Sequence, residues 1–249
     1  MKTTILLDGD CVVYRTGHGC QEKFEWGDTE SIVADKDHTL STVDSFIYDL
    51  KKDLEADKVV VCLSDHRNFR KELNPDYKAN RDPSKRPVYY QDIRDHFFAN
   101  YNTVMLPRLE ADDILGILAT HPSAPDKRII TSLDKDLLQI PGYVYNYTKP
   151  DEGIHEVSEE ESYWLFMFQT LMGDPVDNYK GCHRVGEKTA LKLLNKAQEA
   201  GENLWEFVVK TYVQRGHPEE DAVLNARMAR ILRYGEYDMK TQEVKLWER

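Results

Sequence analysis

Apolar residues follow two rhythms along this chain. Short runs at residues 3–7 (TTILL), 58–63 (KVVVCL), 128–131 (RIIT) and 143–147 (YVYNY) have the length and branched content of buried strands, with 103–106 (TVML) a weaker fifth. Between them, Leu40, Val43, Ile47, Leu50 and Leu54 recur at spacings of three and four, which draws one face of an amphipathic helix. Strands alternating with helices predict an α/β fold, a mainly parallel central sheet flanked by helices. Residues 17–38 are polar and acidic and read as a surface loop or small hairpin. From about residue 158 the strand runs stop and helical patterns follow, as in EEESYWLFMFQTLMG and DAVLNARMARILRYG. The change of pattern near Lys149–Gly153 is the expected boundary between an α/β core (1–152) and a helical region (153–249).

Ligands of parallel α/β sheets collect at the carboxyl ends of strands, and acidic residues are concentrated there. Nine fall in five clusters: Asp8 in ILLDGD; Asp65 in VVVCLSD; Glu110, Asp112 and Asp113 in EADD; Asp134 and Asp136 in SLDKD; Asp174 and Asp177 in GDPVDN. Each cluster has a plain alternative. EADD can be an acidic helix start favoured by the helix dipole, DKD a solvated turn, and GDPVDN a capped turn. On a helix Glu110 and Asp113 share a face while Asp112 points about 100° away. The apolar ILGIL that follows buries that helix, so its acidic first turn must emerge at the core's edge. Converging carboxylates repel unless cations lie between them. Hard oxygen ligands of this kind suit Mg²⁺ or Mn²⁺, and two such ions can clamp the attacking and leaving oxygens of a phosphodiester. Asp8 and Asp10 together form a D-x-D after the first strand, which also fits a haloacid-dehalogenase-like phosphatase with Asp8 as nucleophile and Asp10 as acid.

Two basic stretches point to nucleic acid. Residues 66–86 carry Arg67, Arg70, Lys71, Lys78, Arg81, Lys85 and Arg86 with Phe69 and Tyr77 interleaved, and Tyr89 and Tyr90 follow; cations among rings suit a single strand. A flexible surface excursion, with Pro75, Pro83 and Pro87, is the alternative. Further on, GCHRVGEKTA resembles a phosphate-binding P-loop, but Glu187 separates Gly186 from Lys188 and no apolar strand precedes it. A helix–hairpin–helix turn fits better: its glycines permit a tight turn and the next helix presents N–H groups to a DNA phosphate. From 178 to 196, Lys180, Arg184, Lys188, Lys192 and Lys196 face a single acid, Glu187.

Composition narrows the class. Thirty-three basic against 44 acidic residues give −11, unlike a general nucleic-acid coating protein, although carboxylate ligands inflate the acidic count. Hydrophobic residues make up 41%, enough for a real core. Four scattered cysteines without C-x-x-C spacing argue against a disulfide framework or zinc site and fit a reducing cytoplasm. No secretory signal is expected before Asp8, and no apolar stretch approaches the roughly 20 residues that span a bilayer. No membrane partner is expected.

In order, ILLDG, VVVCLSD, PDYKANRD, LEADDILG, IITSLDKDLLQI and GDPVDNYKG…VGEKTALKLL resemble the structure-specific 5′ nucleases over roughly residues 3–195. This flap-endonuclease and 5′→3′ exonuclease family includes the N-terminal domain of bacterial DNA polymerase I and free-standing bacteriophage exonucleases, which the chain resembles most. The resemblance implies a PIN-like, Rossmann-like core with a helical arch at about 74–95, and a helix–hairpin–helix (H3TH) at about 174–196. It implies two Mg²⁺ ions, replaceable by Mn²⁺, and a K⁺ at the hairpin. One Mg²⁺ falls to Glu110, Asp112, Asp113 and Asp134, with Asp8 and Asp65 acting through water; the other falls to Asp136, Asp174 and Asp177. Lys78 and Arg81 match the basic residues that act on the scissile phosphate. Arg70, Lys71, Tyr77, Gly181, Arg184, Gly186, Lys188 and Thr189 are the implied DNA contacts. The implied substrates are DNA 5′ ends, flaps and single-strand/duplex junctions, with RNA–DNA hybrid a further substrate, cut by a monomer in the cytoplasm, the host's if phage-encoded. A non-catalytic junction binder is the remaining alternative. Two positions depart from the family pattern: Arg184 stands where a glycine is usual, and His66 follows Asp65 where glycine or lysine is usual.

Overall fold

The computed structural model describes residues 2–27 and 29–249. Strand β1 (Thr3–Asp8) leads into helix α1 (Gly9–Gly19), a hairpin of β2 (Gln21–Trp26) and β3 (Thr29–Ala34), and helix α2 (Lys36–Asp53). There follow β4 (Lys58–Cys62), the short helix α3 (Arg70–Leu73), α4 (Tyr90–Asn100), β5 (Asn102–Val104), α5 (Ala111–Ala119), β6 (Lys127–Thr131), β7 (Gly142–Tyr145) and β8 (Ile154–Val157). The rest is mainly helical: α6 (Glu159–Met172), a small hairpin of β9 (Gly173–Asp174) and β10 (Tyr179–Lys180), then α7 (Glu187–Glu199), α8 (Leu204–Gln214) and α9 (Glu219–Ala229). A last hairpin, β11 (Tyr237–Asp238) and β12 (Glu243–Val244), closes the chain.

Six strands form one sheet in the order β5-β4-β1-β6-β7-β8. The first five are parallel, and β8 runs antiparallel on β7. Side chains alternate across a strand, so Ile5 and Leu7 enter one core layer with Val12, Val13, Val43, Ile47, Ile93 and Phe97. Leu6 enters the opposite layer with Ile114, Leu115, Ile130 and Val144. Burial on both faces is why these strands are continuous apolar runs. A third core, built on Phe166, Leu171, Leu194, Trp205, Val208 and Tyr212, holds the helical region together.

All five expected strands are present, and of the two readings for 17–38, surface loop or small hairpin, β2 and β3 form the hairpin; three features differ. Strand β8 lies beyond the expected boundary at 152; of its residues only Val157 is buried, so no apolar run announces it. Ile231, Leu232 and Tyr237 return to the sheet's second core layer, so the last residues are not confined to the helical region. The stretch expected to arch as a helix at about 74–95 is turns and one 3₁₀ turn (Pro83–Lys85) until α4 starts at Tyr90. Pro75, Pro83 and Pro87 explain this, since each removes a helical donor and restricts the residue before it.

Candidate active site

The parallel strands deliver their acids to one edge. Asp8 ends β1 and caps α1, accepting from Cys11 N at 3.0 Å. Glu110 caps α5, with Asp112 and Asp113 in its first turn. Asp134 caps the 3₁₀ turn after β6 and accepts from Asp136 N at 2.8 Å. Asp174 and Asp177 come from the β9–β10 hairpin, where Asp174 accepts from Val176 N at 2.7 Å.

These acids act on each other as two groups sharing Asp134. Burial, then the charges of Asp8, Asp134 and Glu110, push the Asp112 carboxyl well above the usual carboxylate range. Burial, then Asp134 and Asp174, push Asp136 up to about 7, with Asp177 adding to the effect. A carboxyl raised by its neighbours marks a place short of positive charge.

The positive charge present is the chain's own. Lys78 Nζ pairs with Glu110 Oε1 and lies 3.4 Å from Asp177 Oδ2. Arg81 pairs with Asp177 at 2.7 Å. The Tyr77 hydroxyl lies 2.8 Å from Glu110 Oε2 and 2.9 Å from Asp177 Oδ2, with one hydrogen to share between the two carboxylates. Burial alone would raise Glu110, but Lys78 and Arg70 outweigh it and hold the carboxyl at about 2. Among the described residues no three His, Cys, Asp or Glu side chains already form a cation cage; lysine and arginine stand among the carboxylates instead.

Several expected site residues face elsewhere. Asp113 is 0% exposed, and both its oxygens are taken by Arg70 at 2.7 and 2.8 Å and by Leu232 N at 3.1 Å. Its place three residues after Glu110 turns it toward that arginine and away from Asp112. Arg70, expected on DNA, is 3% exposed and also donates to the Met228 and Arg230 carbonyls. Tyr77, another expected contact, is buried in the helical core. Asp65 anchors its own loop, accepting from Arg108 N and His66 N at 2.8 Å each. Burial would raise it, but those hydrogen bonds and the His66 ring, 2.6 Å away, bring it below the ordinary carboxylate range. Lys71 remains exposed.

In the hairpin before α7 the glycines divide. Gly181 packs its backbone against Met172; a Cβ there would lie 2.2 Å from the Met172 carbonyl carbon, so Gly181 serves close packing rather than DNA contact. Gly186 caps α7 from open space and leaves the helix without a side-chain cap. Lys188 is exposed beside it and Thr189 half-buried. Arg184 has φ +56°, the left-handed conformation in which a glycine would be unstrained. Replacing Gly181 with alanine is expected to cost about 1–3 kcal/mol through overpacking, while Gly186→Ala leaves stability nearly unchanged; urea unfolding of both variants distinguishes them.

Two features were missed in the sequence. Ser132 donates to Asp8 Oδ2 at 2.6 Å and accepts from Asp134 N at 3.0 Å, joining two acidic clusters. A hydroxyl two residues before an acid, directly after a strand, was the available signal. Arg94 holds Asp10 at 2.8 Å, with Ser64 N on the other Asp10 oxygen at 3.0 Å. Nothing local in α4 marks that long-range pair. It also removes the phosphatase reading: Asp10 is tied down, and both Asp8 oxygens already accept hydrogen bonds.

Fold and acidic edge together define a hydrolase of the nuclease class. The chain belongs to the 5′-3′ exonuclease family, whose N-terminal resolvase-like domain model matches residues 3–163. It is 30% identical to the exonuclease of Escherichia phage T7 and 28% identical to the exodeoxyribonuclease of Enterobacteria phage T3, in each case over 99% of this chain and 93% of the relative. The solved flap endonuclease of bacteriophage T5, in a complex with DNA and metal ions, shares the fold: the TM-score is 0.64 at 18% identity, over 92% of this chain and 89% of that one. Among the described residues no helix is long and apolar enough to cross a membrane.

Proposed function

We propose that the protein is a divalent-metal-dependent 5′→3′ exonuclease and flap endonuclease that hydrolyses DNA at 5′ ends, flaps and single-strand/duplex junctions during replication or repair. The observation that carries this reading is the pair of carboxylate groups sharing Asp134, in which burial first and neighbouring charge second raise Asp8, Asp112 and Asp136. Such clustered hard oxygens fit Mg²⁺, with Mn²⁺ as substitute. When bound, two such ions supply Lewis-acid polarisation of the phosphate and an acidified water.

Asp8, Glu110, Asp112 and Asp134 are the residues for one ion, and Asp136, Asp174 and Asp177 for the other. Asp113 and Arg70 hold the α5 end of the site in place, and Ser132 orients Asp8. Lys78 and Arg81, freed from Glu110 and Asp177, meet the scissile phosphate as charge develops on it. The open first turn of α7, with Gly186, Lys188 and Thr189 beside Arg184, grips a duplex phosphate without reading sequence. The α/β core thus cleaves and the helical region holds, with the stretch from 74 to 89 crossing between them.

Cleavage of a 5′-labelled flap duplex beside a blunt duplex, in Mg²⁺ and in EDTA, tests this. Short 5′ fragments released only with metal are the expected result. Tight flap binding without cleavage returns the non-catalytic junction binder. An RNA flap and an RNA–DNA hybrid in the same assay read the second substrate.

Cation binding also has a thermal signature. Asp136 has a folded pKa raised from 3.8 to about 7, so the stability tied to its proton is full below pH 3.8 and lost as pH rises through 7. The metal-free protein should therefore melt lower at pH 8 than at pH 6. A cation binding only the folded protein at 100 times its Kd adds about 2.7 kcal/mol, which is about 5–10 °C in Tm for a chain of this size. The shift with Mg²⁺ should be larger at pH 8 than at pH 5.5, and nearly absent in Asp134→Ala/Asp136→Ala. Equal shifts in wild type and double variant would sink the assignment.

A further inference from the structure

A monovalent cation at the hairpin needs free carbonyl oxygens and no competing positive charge. The turn before α7 has two carbonyls engaged by its own backbone and a positive charge set against two others. The carbonyl of Cys182 accepts from Val185 N at 3.0 Å, and that of Gly186 from Thr189 N and Ala190 N at 2.9 Å each. The carbonyls of His183 and Arg184 meet one guanidinium. Arg215, just after α8, places Nη1 3.0 Å from His183 O and 3.4 Å from Arg184 O. The same corner touches the turn twice more: the Cys182 thiol reaches Thr211 O at 3.8 Å, and the His183 and His217 rings lie 6.2 Å apart. A K⁺ drawn to the carbonyls of His183 and Arg184 would sit against the Arg215 guanidinium, so that face of the turn does not fit it.

We propose that Arg215 is the turn's built-in cation. It is a positioning residue that ties the α8–α9 corner to the carbonyls of His183 and Arg184, holds Arg184 in its left-handed conformation, and so aims the first turn of α7 at a phosphate. This rests on the reading that the α7 hairpin grips duplex DNA. A charge-assisted hydrogen bond from a side chain two helices away does what a recruited ion would otherwise do. It also offsets the strain of a non-glycine at φ +56°.

The test is fluorescence anisotropy of a labelled blunt duplex in EDTA, in chlorides of K⁺, Na⁺ and tetramethylammonium at one ionic strength, followed by a salt titration. Wild type should bind equally in all three salts. Arg215→Ala should lose ~10-fold in affinity, the equivalent of one charge-assisted contact, and Arg215→Lys should recover most of it. Because Arg215 touches carbonyls and not phosphate, the slope of log Kd against log salt should be the same for wild type and Arg215→Ala. Wild type binding several-fold tighter in K⁺ overturns the proposal, as does Arg215→Ala binding like wild type, or a slope reduced by about one phosphate contact. Wild type that binds no duplex in any salt overturns the hairpin reading beneath it as well. Should Arg215→Ala fail to fold, the wild-type salt comparison and Arg215→Lys still decide.

Discussion

Asp113→Ala should lose about 3 kcal/mol of stability, because it takes the bidentate carboxylate from the buried Arg70 guanidinium and leaves it only Glu110, which Lys78 already shares. Asp112→Asn, one position earlier, should keep or raise stability and lose cleavage. The two carboxylates have opposite surroundings. Asp113 gives both oxygens to Arg70 and the Leu232 amide, which joins α5 to α3 and to the returning C-terminal segment. Arg70 in turn donates to Met228 O and Arg230 O, so its loss of charge balance propagates to the end of α9. Asp112 faces Asp8, Asp134 and Glu110, and neutralising it relieves repulsion in the metal-free protein. Urea unfolding in EDTA and flap cleavage in Mg²⁺ separate the two roles. Asp113→Ala as stable as wild type yet inactive would return Asp113 to the site.

That divergence shows how far the sequence could be read. The apolar runs sufficed for the parallel strands because each is buried on both faces, and strand ends then placed the acids at one edge. Helical spacing correctly put Glu110 and Asp113 on one face, and both do reach Arg70. What spacing does not say is which face meets solvent and which meets a buried arginine forty positions away. Arg70 and Tyr77 misled for the same reason: a basic, aromatic stretch has the composition of a nucleic-acid contact whether or not it is folded against α9. Conversely, Arg184 in a glycine's place was legible as a departure. Its partner Arg215 was not, since the contact is with backbone carbonyls and depends on the α8–α9 corner alone. β8 was hidden by an exposed edge, where only one of four side chains needs to be apolar.

Lys78→Ala is expected to act in two directions at once. With DNA and Mg²⁺ saturating, single-turnover flap cleavage should fall about 10²–10³-fold, the usual loss when one preorganised charge facing the transition state is removed. Without DNA, the same variant should bind Ca²⁺ more tightly than wild type. Lys78 is charged: burial would lower its pKa, but Glu110 and Asp177 raise it further. Its ammonium therefore neutralises one acid from each end of the site, and the main chain is fixed as well, with Lys78 N donating to Asp177 O at 2.9 Å. An ion that uses Glu110 or Asp177 must first displace this side chain, so measured affinity is lowered by the cost of breaking the pair. On the proposed function, a phosphate arriving from a 5′ strand would draw Lys78 and Arg81 off the carboxylates and open the site to metal. Metal and substrate should then favour each other's binding through one lysine. Calorimetric Ca²⁺ titration of wild type and Lys78→Ala, each with and without a flap duplex, measures that coupling. Tighter Ca²⁺ binding by the variant alone, and a smaller effect of DNA on it, is the expected pattern. Weaker Ca²⁺ binding by Lys78→Ala would mean that the ammonium organises the carboxylates rather than competing for them.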